Sequence, residues 1–295
     1  MTMAKGAGQP KITNLSHMTF QSSDLEKALA YYRDLHGWEE QLHLPGGDGR
    51  VERAFVMINE AQWVELRPEH APKTDRLIQF GFLVEDAEAM RARLASRGVA
   101  VPAAVDRSAL GNLGFAVKDP DGHTLEFVQN LAEGWPARAA GRGPGPRALS
   151  RCMMHLGFDV FSMDKAMAFY RDILGCEEMW RGSMDDRTLS WVQLKLPDHR
   201  NYIEFMLYDE TPDLERLGVF NHFGLEVASI PATMEEVAGR MKGAPAFPRQ
   251  VSYSVGKCTH RLANVFDPDH TRAEFMERGT FDGSVCPSAT VPAPR

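Results

Sequence analysis

Short apolar runs, some alternating with polar residues, recur along the chain and predict β-strands separated by helical segments. Residues 12–20 form the first run and predict a strand that leads into a helix, for which Ser23 and Asp24 are suitable N-caps. Gly37 is placed to end this helix. The helix has one apolar face, formed by residues at helical spacing: Leu25, Ala28, Leu29 and Tyr32.

This succession of one strand, one helix and further strands occurs four times and predicts four βαβββ modules. The first helix follows Asp24, and the others are predicted at residues 87–97, 163–174 and 232–241. The predicted strands lie at residues 12–20, 53–58, 62–66, 77–84, 114–117, 124–128, 153–160, 189–196, 202–208, 221–227, 262–266 and 272–276. The mixture of strands and helices predicts an α+β fold.

Two segments near the start and the end of one half of the chain return in the other half, so the protein is a tandem duplication. Residues 27–34 return as 165–172, and 119–127 return as 267–275. The copies predict an N-terminal domain at 11–131 and a C-terminal domain at 151–278. Residues 132–150, rich in Gly, Pro and Arg, predict an extended linker without helix, and 279–295 predict a flexible tail.

Composition limits the classes of function. A length of 295 residues fits two domains, and 43% hydrophobic with 25% charged residues is typical of a globular protein. The net charge of -7 and the lack of a basic stripe argue against a nucleic-acid partner. There is neither a membrane-spanning apolar stretch nor a secretory signal at the N-terminus. The 4 cysteines show no CxxC spacing, which predicts reduced thiols and a cytoplasmic location. We expect the protein to be a monomer or a homodimer.

Four residues of the second copy stand where a metal site would need them. His155 and His222 lie on the first strands of two successive modules, and Glu204 and Glu274 lie on the last strands of the same modules. The distance along the chain from histidine to glutamate is nearly the same in both modules, as expected for units related by a twofold axis. Imidazole and carboxylate ligands together suit Zn, Ni, Co, Mn or Fe(II), so we expect one divalent metal and no nucleotide cofactor.

These residues carry a resemblance to a known family. The segments Met154-His155-Leu156-Gly157-Phe158, Tyr202-Ile203-Glu204-Phe205 and Asn221-His222-Phe223-Gly224-Leu225 resemble the vicinal oxygen chelate (VOC) superfamily, which includes glyoxalase I, extradiol dioxygenases, epimerases and bleomycin-resistance proteins. The resemblance covers both copies. It implies that the two βαβββ modules of each domain form a cupped, barrel-like mixed sheet, with a divalent metal at its centre.

The first copy matches the second at three of the four ligand positions. His17, Glu65 and Glu126 correspond to His155, Glu204 and Glu274, but Gln79 stands where the second copy has His222. Because an amide oxygen is a poorer ligand for these metals than imidazole, the first copy would be a second, weaker metal site or would hold no metal. The sequence leaves open whether modules pair within each copy or across the two copies.

The resemblance is compatible with several reactions. A set of two histidines and two glutamates fits a glyoxalase I-like lyase, isomerase or epimerase, in which the metal polarises a small carbonyl substrate and a carboxylate, Glu204 or Glu274, moves the proton. The residues that bind glutathione in bacterial glyoxalase I are missing, since Asp159 stands where that family has arginine. Arg181 and Arg187 are the nearest candidates to bind a substrate anion.

Two alternatives remain. His155, His222 and Glu274 are also the ligand types of an Fe(II) extradiol ring-cleaving dioxygenase. Val255 and Asn264, however, stand where such enzymes carry a histidine and a tyrosine beside the metal ligands. The other alternative is a non-catalytic binding protein of the bleomycin-resistance kind, and the full ligand set of the second copy argues against it, because those proteins usually lack these ligands. In each case the expected partner is a small molecule.

Overall fold

The computed structural model describes residues 10–70, 74–208, 213–242, 251–257 and 260–294. These residues form two domains, each built around one eight-stranded mixed sheet that curls into a half-barrel. The α+β fold of two tandem domains that the sequence predicts is confirmed.

The first domain begins with β1, and Asp24 caps α1 as predicted, because its side chain accepts a hydrogen bond from the backbone N–H of Lys27. The helices of this domain are α1 (Leu25–Asp34) and α2 (Ala87–Ser96). Its strands are β1 (Ile12–Ser22), β2 (Gln41–Pro45), β3 (Val51–Asn59), β4 (Gln62–Pro68), β5 (Leu77–Val84), β6 (Asp106–Arg107), β7 (Leu113–Lys118) and β8 (Thr124–Gln129).

The second domain repeats this order with local differences. A short helix, α3 (Trp135–Arg138), joins the two domains. The further helices are α4 (Met163–Met167), which continues as a π-helix over Ala168–Ile173, α5 (Leu214–Phe220) and α6 (Ile230–Met241). The strands are β9 (Met153–Val160), β10 (Glu177–Gly182), β11 (Trp191–Lys195), β12 (Tyr202–Leu207), β13 (His222–Glu226), β14 (Ser252–Val255), β15 (Arg261–Phe266) and β16 (Arg272–Met276).

The strand order is β2-β3-β4-β1-β5-β8-β7-β6 in the first sheet and β10-β11-β12-β9-β13-β16-β15-β14 in the second. The four strands that the sequence did not predict are β2, β6, β10 and β14, and all four are edge strands. An edge strand buries few side chains, so it leaves little apolar pattern in the sequence. In β14, for example, Tyr253 and Val255 are each 50% exposed.

The central strands decide how the modules pair. β1 lies antiparallel to β5, and β9 lies antiparallel to β13. Both pairs join the two modules of one copy, so each half-barrel forms within a domain. The arrangement across the two copies, which the sequence left open, does not occur.

The domains pack against each other through a repeated contact. The hydroxyl of Tyr32 donates to Asp267 of the second domain over 3.2 Å, and the hydroxyl of Tyr170 donates to Asp119 of the first domain over 2.9 Å. These residues occupy matching positions in the two copies. The largest buried apolar cluster contains side chains from both domains, including Phe80 stacked on Phe158 at 4.5 Å between ring centroids. The two sheets are thereby held in a fixed relation.

Three details depart from the predictions. Helix α3 lies in the segment predicted to contain no helix, and it forms because Trp135 is buried. The predicted flexible tail hydrogen-bonds the second domain, with the N–H of Ala289 donating to Arg181 O over 2.9 Å. Cys152 and Cys176 are free, but Cys286 is in a disulfide, so the prediction of reduced thiols is wrong for that residue.

The domain bounds and the cytoplasmic location stay predictions. No helix in the described part of the chain has the length and apolarity needed to span a membrane.

Candidate metal centre

Four neighbouring strands in the middle of the second sheet bring the predicted ligands together. In the order β12, β9, β13 and β16 these strands carry Glu204, His155, His222 and Glu274. Because the central strands lie side by side, residues far apart in sequence meet on one face of the sheet. All four side chains are buried, with the residues no more than 8% exposed.

The distances between the ligand atoms are those of a metal site. The Nε2 atoms of His155 and His222 lie 3.1 Å apart, and Glu274 Oε2 lies 3.5 Å from the first and 3.8 Å from the second. Ligands bound at about 2.0–2.2 Å to one ion lie about 3–3.5 Å from each other. Glu204 Oε2 is 3.6 Å from His222 Nε2. The tightest group is therefore His155, His222 and Glu274, whose ligand atoms all lie within 4.8 Å of one another, with Glu204 beside it.

Two glycines make room for the imidazole rings. Gly157 faces His222 across the β9–β13 pair, and Gly224 faces His155 in the same way. A Cβ atom built on Gly157 would lie 2.0 Å from Cε1 of His222, and one on Gly224 would lie 2.0 Å from Cε1 of His155. Each ring thus lies over the backbone of the neighbouring strand, which only glycine permits.

Hydrogen bonds and stacking orient the histidines. The Nδ1–H of His222 donates to Phe220 O over 2.7 Å, which leaves Nε2 with its lone pair toward the centre. The ring of His155 stacks on Tyr202, with 4.9 Å between ring centroids. These contacts place both Nε2 atoms toward the same point.

The charge states suit metal binding. Burial, followed by the positive charges of Arg272 and Arg278, lowers the pKa of His155 to about 3. Burial and Arg272 likewise lower the pKa of His222 well below its ordinary value. Both rings are therefore neutral at pH 7, which is the form that binds a metal.

The two carboxyl groups show the opposite shift. Burial and the neighbouring Glu274 raise the pKa of Glu204 to about 7, while burial raises the pKa of Glu274 against the opposing charge of Arg272. Two acidic groups buried together disfavour double ionisation, and a bound cation would relieve this cost. The donor set thus fits a divalent metal.

The site forms one wall of a cavity of about 640 Å³ in the second domain. Glu204 and Glu274 line it together with aromatic and thioether side chains and three cationic residues: Met154, Met179, Trp180, Trp191, Tyr202, Met276, Lys257, Arg272 and Arg278. A volume of this size is ordinary for a small-molecule site.

Arg181 and Arg187, the sequence candidates for binding an anion, do not line this cavity. Arg181 follows Trp180 on β10 and so points to the other face of the sheet, where it pairs with Glu178 at 2.5 Å. Arg187 lies outside the strands. The cations that line the cavity are Lys257, Arg272 and Arg278. The sequence could have pointed to Arg272. It precedes Glu274 by two residues on β16, and residues two apart on a strand lie on the same face of the sheet.

The corresponding site of the first domain is filled by its own side chains. The Nε2 atom of Gln79 lies 3.2 Å from His17 Nε2 and donates to Glu126 over 2.9 Å. His17 Nε2 is 3.2 Å from Glu126 Oε2. The adjoining cavity measures only about 10 Å³. Gln79 therefore makes in the first domain the contacts that a metal would replace.

Two arginines neutralise the remaining carboxylate, Glu65. Arg53 and Arg67 donate to Glu65 Oε1 over 2.6 and 2.7 Å. Burial disfavours the charge of Glu65, but these hydrogen bonds outweigh burial and lower its pKa. At the matching register positions of the second domain stand Trp191 and Met206, which leave Glu204 without an arginine. The sequence comparison at Gln79 missed this second difference.

Comparisons with known proteins agree with the fold. Two family models, both described as the Glyoxalase/Bleomycin resistance protein/Dioxygenase superfamily, match residues 14–127 and 154–253. A relative, the "Probable lactoylglutathione lyase, chloroplastic" of Arabidopsis thaliana, is 26% identical over 138 residues, 46% of this chain. The matched part spans only 38% of that relative's length.

Solved structures resemble nearly the whole chain. A catechol 2,3-dioxygenase is 14% identical with a TM-score of 0.66 and covers 97% of this chain and 92% of its own. The Mn(II)-bound glyoxalase from Novosphingobium aromaticivorans is 17% identical with a TM-score of 0.64 and covers 97% and 89%. At these identities the likeness concerns the fold. From its two family matches and its paired βαβββ modules, the chain belongs to the Glyoxalase/Bleomycin resistance protein/Dioxygenase superfamily, as a tandem of two such domains.

Proposed function

We propose that the second domain is a metal-dependent enzyme that holds one divalent ion through His155, His222, Glu274 and Glu204. The observation that carries the proposal is the convergence of two neutral imidazoles and a carboxylate within 4.8 Å at the wall of a cavity of about 640 Å³. Nitrogen and oxygen ligands of this kind suit Zn, Ni, Co, Mn or Fe(II). The relative and the structural neighbours named above are enzymes, which supports catalysis.

The reaction we propose is that of a glyoxalase I-like lyase, isomerase or epimerase on a small carbonyl substrate. The metal supplies Lewis acidity that polarises the carbonyl oxygen. Glu204 lies at the edge of the ligand group, where Gln193 Nε2 donates to its Oε1 over 2.8 Å. This position suits a carboxylate that takes a proton from the substrate, while Glu274, inside the tight group, holds the ion.

Glutathione is not the expected co-substrate, although the Arabidopsis relative is named for a glutathione thioester. Asp159, at the position where bacterial glyoxalase I carries arginine, lies between the domains, with Oδ1 3.3 Å from His123 Nε2. Asp159 is 4% exposed and does not line the metal-site cavity. A carboxylate at that place gives glutathione no cationic contact.

Elemental analysis of protein purified without an affinity tag tests the metal centre. We expect about one divalent ion per chain. We expect His222→Ala to lose most of it, because Nε2 of His222 lies close to a ligand atom of each of the other three residues. Arg171→Gln is the control that keeps the ion, because Arg171 is exposed and pairs with Asp172 on the π-helix away from the site. Unchanged metal content in His222→Ala would refute the assignment.

Proton exchange tests the reaction class. In D2O without oxygen, a panel of small α-hydroxy ketones and 2-oxo acids is followed by NMR for exchange at the carbon beside the carbonyl. Glu204→Gln should slow this exchange by about 10²–10⁴ because it removes the proton acceptor, and its metal content shows whether the ion remains. Exchange that is equally fast in Glu204→Gln would contradict the role of Glu204.

Ring cleavage by Fe(II) is the second candidate. The specific observation in its favour is that the tightest group, His155, His222 and Glu274, consists of two histidines and one carboxylate, the set typical of non-haem Fe(II) oxygenases. The discriminating measurement is oxygen uptake with a catechol. Uptake that requires Fe(II) would favour this candidate over the carbonyl reaction.

A further inference from the structure

Arg272 is the cation that lies against the candidate ligands. Nη2 of its guanidinium lies 2.8 Å from both ring nitrogens of His222, and Nη1 lies 3.8 Å from Oε1 of Glu274. The side chain is only 12% exposed, and its Nε has no hydrogen-bond partner within the described ranges. The guanidinium therefore lies against the imidazole of His222, beside the candidate ligands, with a donor still unused.

A metal on His222 opposes this position of Arg272. Because Nδ1 of His222 already donates to Phe220, Nε2 is the atom available to an ion. The guanidinium lies against the same imidazole, so an ion on Nε2 would repel it. This repulsion favours a guanidinium turned toward the cavity, which it already lines.

The other two cations of the cavity wall are already paired. Lys257 Nζ lies 2.7 Å from Asp186 Oδ1, and Arg278 lies 2.7 Å from Glu226 Oε2. Within the described part of the chain, the side-chain contacts of Arg272 are with His222 and Glu274, both residues of the candidate metal centre. Once a metal takes His222, Arg272 is the cation with a planar pair of donors left for a ligand.

The remaining wall is apolar and aromatic. Trp180, Trp191 and Tyr202 line the cavity with three methionine side chains. Trp191 occupies the register position that Arg53 has in the first domain, so the change that opens the second cavity also gives it an indole. Such walls favour a flat or apolar ligand body.

We propose that Arg272 is the anion-binding residue of this site and that the substrate is a small carboxylate with an aromatic or apolar body. The inference rests on the proposed metal centre, since the metal frees the guanidinium. Arg272 binds the carboxylate through two parallel N–H donors, the indole and thioether groups contact the body, and the carbonyl end faces Glu204 and the ion.

Binding of matched probes tests the proposal. Benzoate and benzamide have the same shape but differ in charge, and their dissociation constants are measured by calorimetry and by the fluorescence of Trp180 and Trp191 in the Zn(II)-loaded protein. We expect benzoate to bind about 10–100-fold more tightly than benzamide, the range for a charge-assisted pair of hydrogen bonds.

Substitutions separate Arg272 from the metal. Arg272→Gln should abolish the preference for benzoate, and Arg272→Lys should restore it in part because it keeps the charge. Arg171→Gln is the matched control, since Arg171 is exposed and pairs with Asp172 on the π-helix away from the cavity. Arg272→Gln should also bind Zn(II) roughly tenfold more tightly, because the guanidinium and its positive charge no longer lie against His222 and oppose the ion.

The outcomes distinguish the two proposals. A full preference for benzoate in Zn(II)-loaded Arg272→Gln would overturn the inference, since the anion would then bind the ion itself. Failure of the protein to bind any divalent metal, measured independently by dialysis, would overturn the metal centre instead. Both conclusions require that Arg272→Gln unfolds at the same temperature as the unaltered protein. If Arg272→Gln unfolds, the benzoate preference of Arg272→Lys is compared with that of the unaltered protein instead.

Discussion

The space that Gly157 leaves for His222 gives the sharpest test of the metal centre, because it alters no ligand. In Gly157→Ala the new Cβ would lie 2.0 Å from Cε1 and 2.4 Å from Nδ1 of His222. The atoms it meets are the end of a side chain, so the ring swings away while the strand keeps its place. We therefore expect the fold to survive and the ligand to be displaced.

The size of the effect follows from the distances. Ordinary contacts of a Cβ begin at 3.4 Å, so the ring must retreat by about 1.4 Å. Metal–ligand distances tolerate only about 0.2 Å, so His222 is lost as a ligand. Mutating an outer-shell partner that merely orients a ligand costs about 10–100-fold in affinity, and we expect the loss of His222 itself to exceed about 100-fold. The free energy of unfolding of the metal-free protein should change by less than about 1 kcal/mol.

The assay is competition for Zn(II) with a chelating dye, together with circular dichroism and thermal unfolding after metal removal. Gly239→Ala is the control, because Gly239 lies exposed on α6 and a Cβ there meets no atom within 4 Å. Zn(II) affinity of Gly157→Ala within about threefold of the unaltered protein would refute the geometry of the site.

Two further predictions concern the first domain and the contact between domains. Gln79→His alone should add no metal. Thr19 stands where the second domain has Gly157 and donates over 3.1 Å to Glu65, and two arginines already neutralise Glu65. A second ion per chain in elemental analysis of this variant would contradict the prediction. At His123, burial disfavours the charge, but hydrogen bonds to Asp119 and Asp159 outweigh it and raise the pKa to about 10. The folded-state pKa of His123 lies above the ordinary 6.5. The stabilisation that protonated His123 gives to the fold is therefore complete below pH 6.5. It is lost as the pH rises to 10, by at most about 1.4 kcal/mol per pH unit. Urea unfolding from pH 7 to 10 should show this decline, and His123→Gln should lack it; equal slopes for the two proteins would disprove it.

The candidate ligands were accessible from sequence because they belong to repeated local patterns. His155 and His222 each stand two residues before a glycine on the first strand of a module, and Glu204 and Glu274 stand on last strands. A duplicated chain exposes such positions by alignment with itself. The strands near the sheet centre were predicted for a similar reason, since they bury most of their side chains and carry a clear pattern.

Other features depend on which strands become neighbours. The pairing of Arg53 with Glu65 requires the antiparallel register of β3 and β4, and the clash that Gly157 avoids exists only because β9 lies beside β13. Edge strands such as β2 carry little burial and therefore little pattern.

The sequence by itself determined the duplication, the α+β modules and the identity of the candidate ligands, because periodicity and repetition are local properties of the chain. The tertiary structure alone decided that modules pair within each domain, that two arginines neutralise Glu65 in the first site, and that Arg272 lies against His222. These are contacts between residues far apart in sequence, and their distances are fixed only when the strands take their order and register in the sheet.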